Sequence, residues 1–245
     1  MGTKFNLRVR DHVDAPDEKL LLNDRIFTEI ASKYDFVTRA LSFGRDSAWK
    51  RTMMGILPKL QAPVCVDLAC GTGDITFLLA EKYTNGIIIG LDLTSSMLQI
   101  ATHRNSLANV KFVQSDICAL GLSSNSADVI TGGYALRNAP DIRLAIDEIW
   151  RTLKPGGTAA FLDFSKPKSK PIQVLEYWML RTWGSIWGRL LHRSGEVYVY
   201  IAESLRTFPD RTSLKQLFLD HGFDFACSQL FYFGVLELLV VQKPS

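Results

Sequence analysis

Asp67-Leu68-Ala69-Cys70-Gly71-Thr72-Gly73-Asp74 is the stretch whose reading decides the fold. It follows a short apolar run, so 64–69 reads as a buried strand that ends in a glycine turn. Residues 74–83 then read as a helix. Gly71 and Gly73 let the chain turn sharply and let a ligand approach the backbone. The helix that begins near Asp74 directs its free N–H groups at that ligand. A dinucleotide fingerprint would place a third glycine where Thr76 stands. Asp74 at the helix start would also repel a pyrophosphate. The turn therefore predicts a cationic, phosphate-free ligand. The sulfonium and ammonium of S-adenosylmethionine suit Asp67 and Asp74.

Outward from this turn the chain alternates. Residues 86–93, 110–115, 127–135 and 158–164 read as strands, 95–105 and 142–153 as helices, with Ser95 as the expected N-cap and 154–157 as a turn. Alternation of this kind implies parallel strands joined by right-handed crossovers, hence a doubly wound α/β sheet. The runs 223–231 and 234–242 are separated by too short a link for anything but an antiparallel hairpin. The expected fold is α/β, a doubly wound, mostly parallel seven-stranded sheet with an antiparallel C-terminal hairpin. A helical insertion at 171–211 interrupts the rhythm. Residues 1–22 read as a flexible arm and 23–245 as a single domain, with helical spacing from Asn23 to Tyr34.

Two further carboxylates fall at strand ends. Asp92 closes the second strand, where it can accept hydrogen bonds from ribose hydroxyls. Asp116 closes the third and can accept from an adenine amino group. The bland alternative is that each carboxylate caps the helix after it.

Composition excludes several classes. The net charge is +3, too small to argue for a nucleic-acid binder. Cys65, Cys70, Cys118 and Cys227 form no CxxC pair and no zinc-like cluster with histidine, so no metal is expected. They read as small buried hydrophobes in a reducing compartment. With neither a signal-peptide pattern nor a bilayer-spanning stretch, the expectation is a cytoplasmic protein. The chain allows, without requiring, a peripheral membrane contact and a homodimer.

Other segments carry a resemblance. DLACGTGD followed by GLDL resembles class I methyltransferases in general. Ala31-Ser32-Lys33-Tyr34-Asp35, Leu41-Ser42-Phe43-Gly44 and Trp49-Lys50-Arg51 resemble the N-terminal signature of the ubiquinone/menaquinone biosynthesis C-methyltransferase family. So do Ala135-Leu136-Arg137-Asn138, Leu153-Lys154-Pro155-Gly156-Gly157, Phe164-Ser165-Lys166-Pro167 and Tyr200-Ile201-Ala202-Glu203-Ser204 with Phe208-Pro209. The resemblance implies cofactor contacts at Thr72, Asp92, Asp116, Ile117 and Gly133, beside Asp67, Gly71 and Gly73 from the turn itself. It implies methylation of a ring carbon in a polyprenylated quinol, with the substrate near Tyr34, Arg137, Asn138, Tyr177 and Tyr200. Phe36-Val37-Thr38-Arg39, Asp46 and Cys70 depart from the family pattern.

Carbon methylation needs an electron-rich ring carbon. A hydroquinone gains that character on losing a proton, and phenols ordinarily titrate near 10. Arg137 is the candidate cation for stabilising the phenolate, Asn138 for bonding a ring oxygen, and Tyr34 for closing the pocket or relaying a proton. A salt bridge from Arg137 to Asp141 is the structural alternative. Tyr177, Trp178, Met179, Trp183 and Trp187 form a broad apolar helix, a lid over an isoprenoid tail, a membrane contact or ordinary core. A methyltransferase for another hydrophobic aromatic molecule and a non-catalytic organiser of quinone synthesis are the rival readings.

Overall fold

The computed structural model describes residues 15–192 and 196–245, with side chains described outside 183–199. In chain order the elements are α1 (Pro16–Ile30), a 3₁₀ turn (Ala31–Lys33), α2 (Tyr34–Leu41), α3 (Asp46–Ile56), β1 (Val64–Leu68) and α4 (Asp74–Lys82). There follow β2 (Ile87–Asp92), α5 (Ser95–Arg104), β3 (Val110–Gln114), β4 (Ala127–Gly133), α6 (Ile142–Thr152) and β5 (Leu153–Phe164). The last are α7 (Lys170–His192), α8 (Glu196–Thr207), α9 (Arg211–Asp220), β6 (Asp224–Phe231) and β7 (Leu236–Gln242).

The seven strands lie in the order β3-β2-β1-β4-β5-β7-β6. All neighbours are parallel except β5–β7 and β6–β7. The order reverses between β1 and β4, and that switch point is where such sheets bind ligands. The inner strands are almost wholly apolar because helices cover both faces. Val66, Ile130 and Phe161 belong to one buried cluster; Cys65, Val129 and Leu238 belong to the other.

Three boundaries differ from the sequence reading. The expected arm overlaps α1, which starts at Pro16 with Asp17 and Glu18 in its first turn, both favourable at a helix N-terminus. Lys19 looks solvent-seeking in sequence, yet its Nζ reaches the carbonyls of Arg137 and Ala139 at 2.9 and 2.6 Å. That anchors the helix, whereas residues 1–14 lie outside the description. Thr94, not Ser95, is the N-cap of α5, and Asp92 Oδ1 accepts from the Thr94 N–H. Finally, 154–157 is a register irregularity inside β5, between the pairs Ala127–Leu153 and Val129–Thr158. No helix among the described residues is long and apolar enough to cross a membrane.

Candidate functional site

The C-terminal ends of β1, β2 and β4 frame a narrow cleft of about 70 Å³ lined by Gly71, Asp92, Met97, Asp116, Ile117 and Gly133. Ala69 (φ 49°), Gly71 (φ 56°) and Gly73 (φ 92°) turn the loop back on itself. Asp92 Oδ2 then accepts from the Gly71 N–H at 2.7 Å, and Oδ1 from Thr94 N at 2.8 Å. Burial pushes the Asp92 carboxyl up, and these N–H groups oppose the shift. Asp116 Oδ1 accepts from Cys118 N at 2.9 Å. Each carboxylate oxygen has two lone pairs, so loop contacts leave acceptor capacity facing the cleft. Hydroxyls and an amino group fit those acceptors, and Leu91, Met97 and Ile117 offer apolar surface to a purine. The residues present therefore fit an adenosyl group. Gly133 must be small, since a Cβ there would stand 2.6 Å from Ile75 Cδ1.

Four expected contacts lie elsewhere. Asp67 is fully buried below the loop, where its two oxygens accept from Thr76 Oγ1 and Thr131 Oγ1 at 2.7 and 2.9 Å. Burial raises its carboxyl to about 7, so a buried hydroxyl network replaces the expected cation contact. Asp74 is taken by Lys50 and Arg104 at 3.2 and 3.0 Å. Thr72 faces away, donating to Asp35 Oδ1 at 2.5 Å. Gly73 packs on Phe77 and Phe112, where a Cβ would meet ring atoms at 2.9 and 3.0 Å.

These displaced groups tie α2 to the glycine turn. Arg104 bonds Asp35, the Thr72 carbonyl and Asp74 at 3.0–3.1 Å. Lys50 pairs with Asp46 at 2.5 Å, and Asp46 Oδ1 accepts from the Tyr134 hydroxyl at 2.8 Å. The departure at position 46 is thus a buried, fully paired carboxylate.

The second cavity is larger and different in kind. It encloses about 840 Å³, mostly between aliphatic and aromatic side chains of α1, α2, α7 and the β6–β7 turn. Phe27, Tyr34, Tyr134 and Asn138 line both cavities. Burial raises the Tyr34 phenol to about 12 and the Tyr134 phenol well above its usual value, so both remain donors at neutral pH.

Arg137 lies 3% exposed in the chamber wall. Its guanidinium stands 5.3 and 5.7 Å from the Phe164 and Tyr200 ring centroids, and Nη1 donates to Ser204 Oγ. Nε has no hydrogen-bond partner and stands 3.6 Å from Asp163 Oδ1. The ion-pair partner is therefore Asp163; Asp141 instead caps α6 by accepting from Arg143 and Leu144 N. Tyr200 donates its hydroxyl to Asn23 and to Asn138 Oδ1. Asn138 Nδ2 donates to the Tyr134 carbonyl at 2.7 Å. Tyr177 does not line the chamber. Its hydroxyl donates to Glu203 at 2.5 Å and accepts from Arg181 at 2.6 Å, fixing α7 to α8. The side chains of Trp183 and Trp187 lie outside the described residues.

A profile of the ubiE/COQ5 methyltransferase family matches residues 14–243. The chain belongs to this family. It is an S-adenosylmethionine-dependent methyltransferase. A demethylmenaquinone methyltransferase of Geobacillus sp. (strain WCH70) is 33% identical over 222 residues, covering 89% of this chain and 95% of the relative. A 2-phytyl-1,4-naphtoquinone methyltransferase of Thermosynechococcus vestitus is 34% identical over 220 residues, covering 89% and 97%. Among solved structures, Haemonchus contortus phosphoethanolamine N-methyltransferase 2 with S-adenosyl-L-methionine shares the fold at a TM-score of 0.61 and 14% identity, covering 81% of this chain and 53% of that one. An S-adenosylmethionine-dependent methyltransferase of Aquifex aeolicus does so at 0.56 and 14%, covering 79% and 88%. The sequence motifs of this ubiE/COQ5 family member pointed to Tyr34, Arg137, Asn138 and Tyr200, which the fold brings together. They missed Tyr134, although it directly precedes the Ala-Leu-Arg-Asn segment, and Glu176.

Proposed function

We propose that this methyltransferase carries a methyl group to a ring carbon of a polyprenylated quinol, a naphthoquinol or related benzoquinol. The observation behind the reading is the wall of Phe27, Tyr34, Tyr134 and Asn138 shared by the two cavities. An aromatic ring in the chamber would meet the cofactor cleft across that wall. When bound, S-adenosylmethionine supplies an electrophilic methyl group on a sulfonium. Arg137 is a guanidinium in a dry wall, ion-paired with Asp163 but with no hydrogen bond from its Nε–H, and it favours a ring oxygen carrying negative charge. Asn138 is held by Tyr200 and the Tyr134 carbonyl, so it presents a fixed amide at the junction. Tyr34, un-ionised at neutral pH, serves as donor and cover. No protein nucleophile is needed, and positioning with electrostatics supplies the rate.

The cap of α7 and α8 would shelter the isoprenoid tail, and the mouth would face a lipid surface. Phe233 (φ 55°, 112% exposed) and Phe43 (69%) stand with Leu175 (70%) and Met179 (48%) around that mouth. An exposed apolar rim beside the exposed Lys168 and Lys170 suits an anionic bilayer. Sedimentation with anionic vesicles is expected to carry the parent down and leave Phe233→Ser in solution; equal sedimentation contradicts the docking.

The activity is tested by incubating the purified chain with S-adenosylmethionine and a prenylated demethylnaphthoquinol kept reduced. Mass spectrometry should show gain of one methyl on the ring. Cofactor binding without transfer to any quinol would overturn the substrate reading.

A further inference from the structure

The described part of α7 lines the chamber through Ile172, Leu175, Glu176, Met179, Leu180 and Thr182, the first five at the spacing of one helical face. Four of these are apolar. Glu176 stands in the middle of them and is the most buried described residue on the helix, at 5% exposure.

Its carboxylate is an exception. Every other buried carboxylate among the described residues has its partners. Asp46 has Lys50 and Tyr134, Asp67 has two threonines, and Asp92 has two backbone N–H groups. Asp163 has the N–H groups of Arg137 and Phe164; Glu203 has Tyr177 and Arg181; Glu237 has Ser165 and Ser228. Both oxygens of Glu176 are buried without a hydrogen bond. Leaving a charged acceptor without a hydrogen bond in an apolar wall is strongly unfavourable.

The cations whose charge acts on Glu176, Arg211 and Lys166, have hydrogen bonds elsewhere. Arg211 on α9 donates to Ser165 Oγ and the Gly234 carbonyl, both at 2.9 Å. Lys166 donates to the Arg206 carbonyl at 3.0 Å. Their charges favour ionisation without filling the acceptor positions. Desolvation acts the other way and lifts the carboxyl to about 7. At neutral pH the group is therefore part ionised, and it is an acceptor in need of a donor.

We infer that Glu176 lets the chamber distinguish a reduced ring from an oxidised one, its carboxylate accepting a hydrogen bond from a ring hydroxyl that a quinol has and a quinone lacks. This rests on the reading of the chamber as the quinol site. A site built to bond a hydroxyl rejects the analogue lacking it, because the buried acceptor is then left unpaired. The preference should grow as the pH rises through 7. Below that, the protonated carboxyl can itself donate to a quinone carbonyl. Arg211 and Lys166 are the charged groups that act on it.

The test is anaerobic binding of a prenylated 1,4-naphthoquinol and of its quinone to the full chain at pH 8, followed by tryptophan fluorescence. S-adenosylhomocysteine binding serves as the control for a folded chain. The parent should prefer the quinol about tenfold or more. Glu176→Leu should bring the two within about twofold by weakening the quinol. Glu176→Gln, which can donate as well as accept, should do so by strengthening the quinone. A parent that binds the quinol without redox preference, or variants that keep the preference, would overturn the role of Glu176 alone. A parent that binds neither form would overturn the chamber reading and the inference with it.

Discussion

The cofactor cleft and the apolar chamber share a wall but are built by different means. The polar side of the cleft comes from local sequence: a strand end followed by a short turn, glycine-rich after β1, and repeated at the ends of β2 and β3. Its carboxylates are already held by loop N–H groups, at 2.7–2.9 Å for Asp92 and Asp116. The chamber comes from segments far apart in the chain, from Ile26 to Leu236, that meet only in the fold. Its polar groups are few, and two of them, Arg137 Nε and the Glu176 carboxylate, have no hydrogen-bond partner. The difference separates two tasks. A pre-satisfied cleft binds a polar ligand with little rearrangement, whereas an under-satisfied apolar chamber holds its polarity for the reacting ring.

Arg137→Met should separate the regions most sharply. Turnover should fall about a hundredfold or more, the usual effect of losing one preorganised donor at developing charge. Affinity for S-adenosylhomocysteine, measured by calorimetry, should stay within about twofold. A parallel loss of both would mean that Arg137 supports the cleft as well.

Asp92→Ala makes the reciprocal cut. It removes the acceptor at the end of β2 and the tie to Gly71, so cofactor affinity should weaken by about 1–3 kcal/mol. Quinol-analogue binding should be unaffected. Unchanged cofactor affinity in a folded variant would remove Asp92 from the cleft's function.

The pH dependence of stability follows from Glu176. Its carboxyl is raised from 4.5 to about 7 in the folded chain. Its contribution is therefore fully present below about pH 4.5 and is lost as pH rises through 7. Glu176→Gln lacks that loss. The variant should gain stability relative to the parent between pH 5 and pH 8, on the order of 1–3 kcal/mol. Paired melts at the two pH values check this, and a constant difference would show that the group is not buried as described.

The smallest effect belongs to Arg104, which straps α2 to the glycine turn. Its pairs with Asp35 and Asp74 are partly exposed, at 38% for the Arg104 side chain. Arg104→Ala should cost only a few tenths of a kcal/mol in cofactor affinity, and 1 M salt should abolish the difference from the parent. A large, salt-independent loss would make the strap part of the cleft.

The sheet was legible because each strand carries its own punctuation: apolar run, turn, helix start. Asp92 and Asp116 could be assigned to the cleft for the same local reason, and Ile117 and Gly133 through the family resemblance. Asp67 could not, because a carboxylate near a strand end looks the same in sequence whether it faces the edge or lies beneath it; Thr131, which claims it together with nearby Thr76, is distant in the chain. Tyr177 was misjudged by one helical step. It neighbours Glu176, but its phase turns it toward Glu203 on α8. Glu176 itself left a faint signal, a lone carboxylate at the i+4 position of an apolar face. The start of α1 was hidden because Lys19 is buried by its reach to two carbonyls, not by hydrophobicity.

The central claim is that an aromatic ring in the chamber meets the cofactor cleft across Phe27, Tyr34, Tyr134 and Asn138. Photo-crosslinking with an azido-naphthoquinol, in the presence of S-adenosylhomocysteine, tests it most directly. Mapped by mass spectrometry, the label is predicted on residues 134–138 and on the 172–180 face of α7, with protection by unlabelled quinol. Label confined to other surfaces, or label that unlabelled quinol fails to displace, would contradict it.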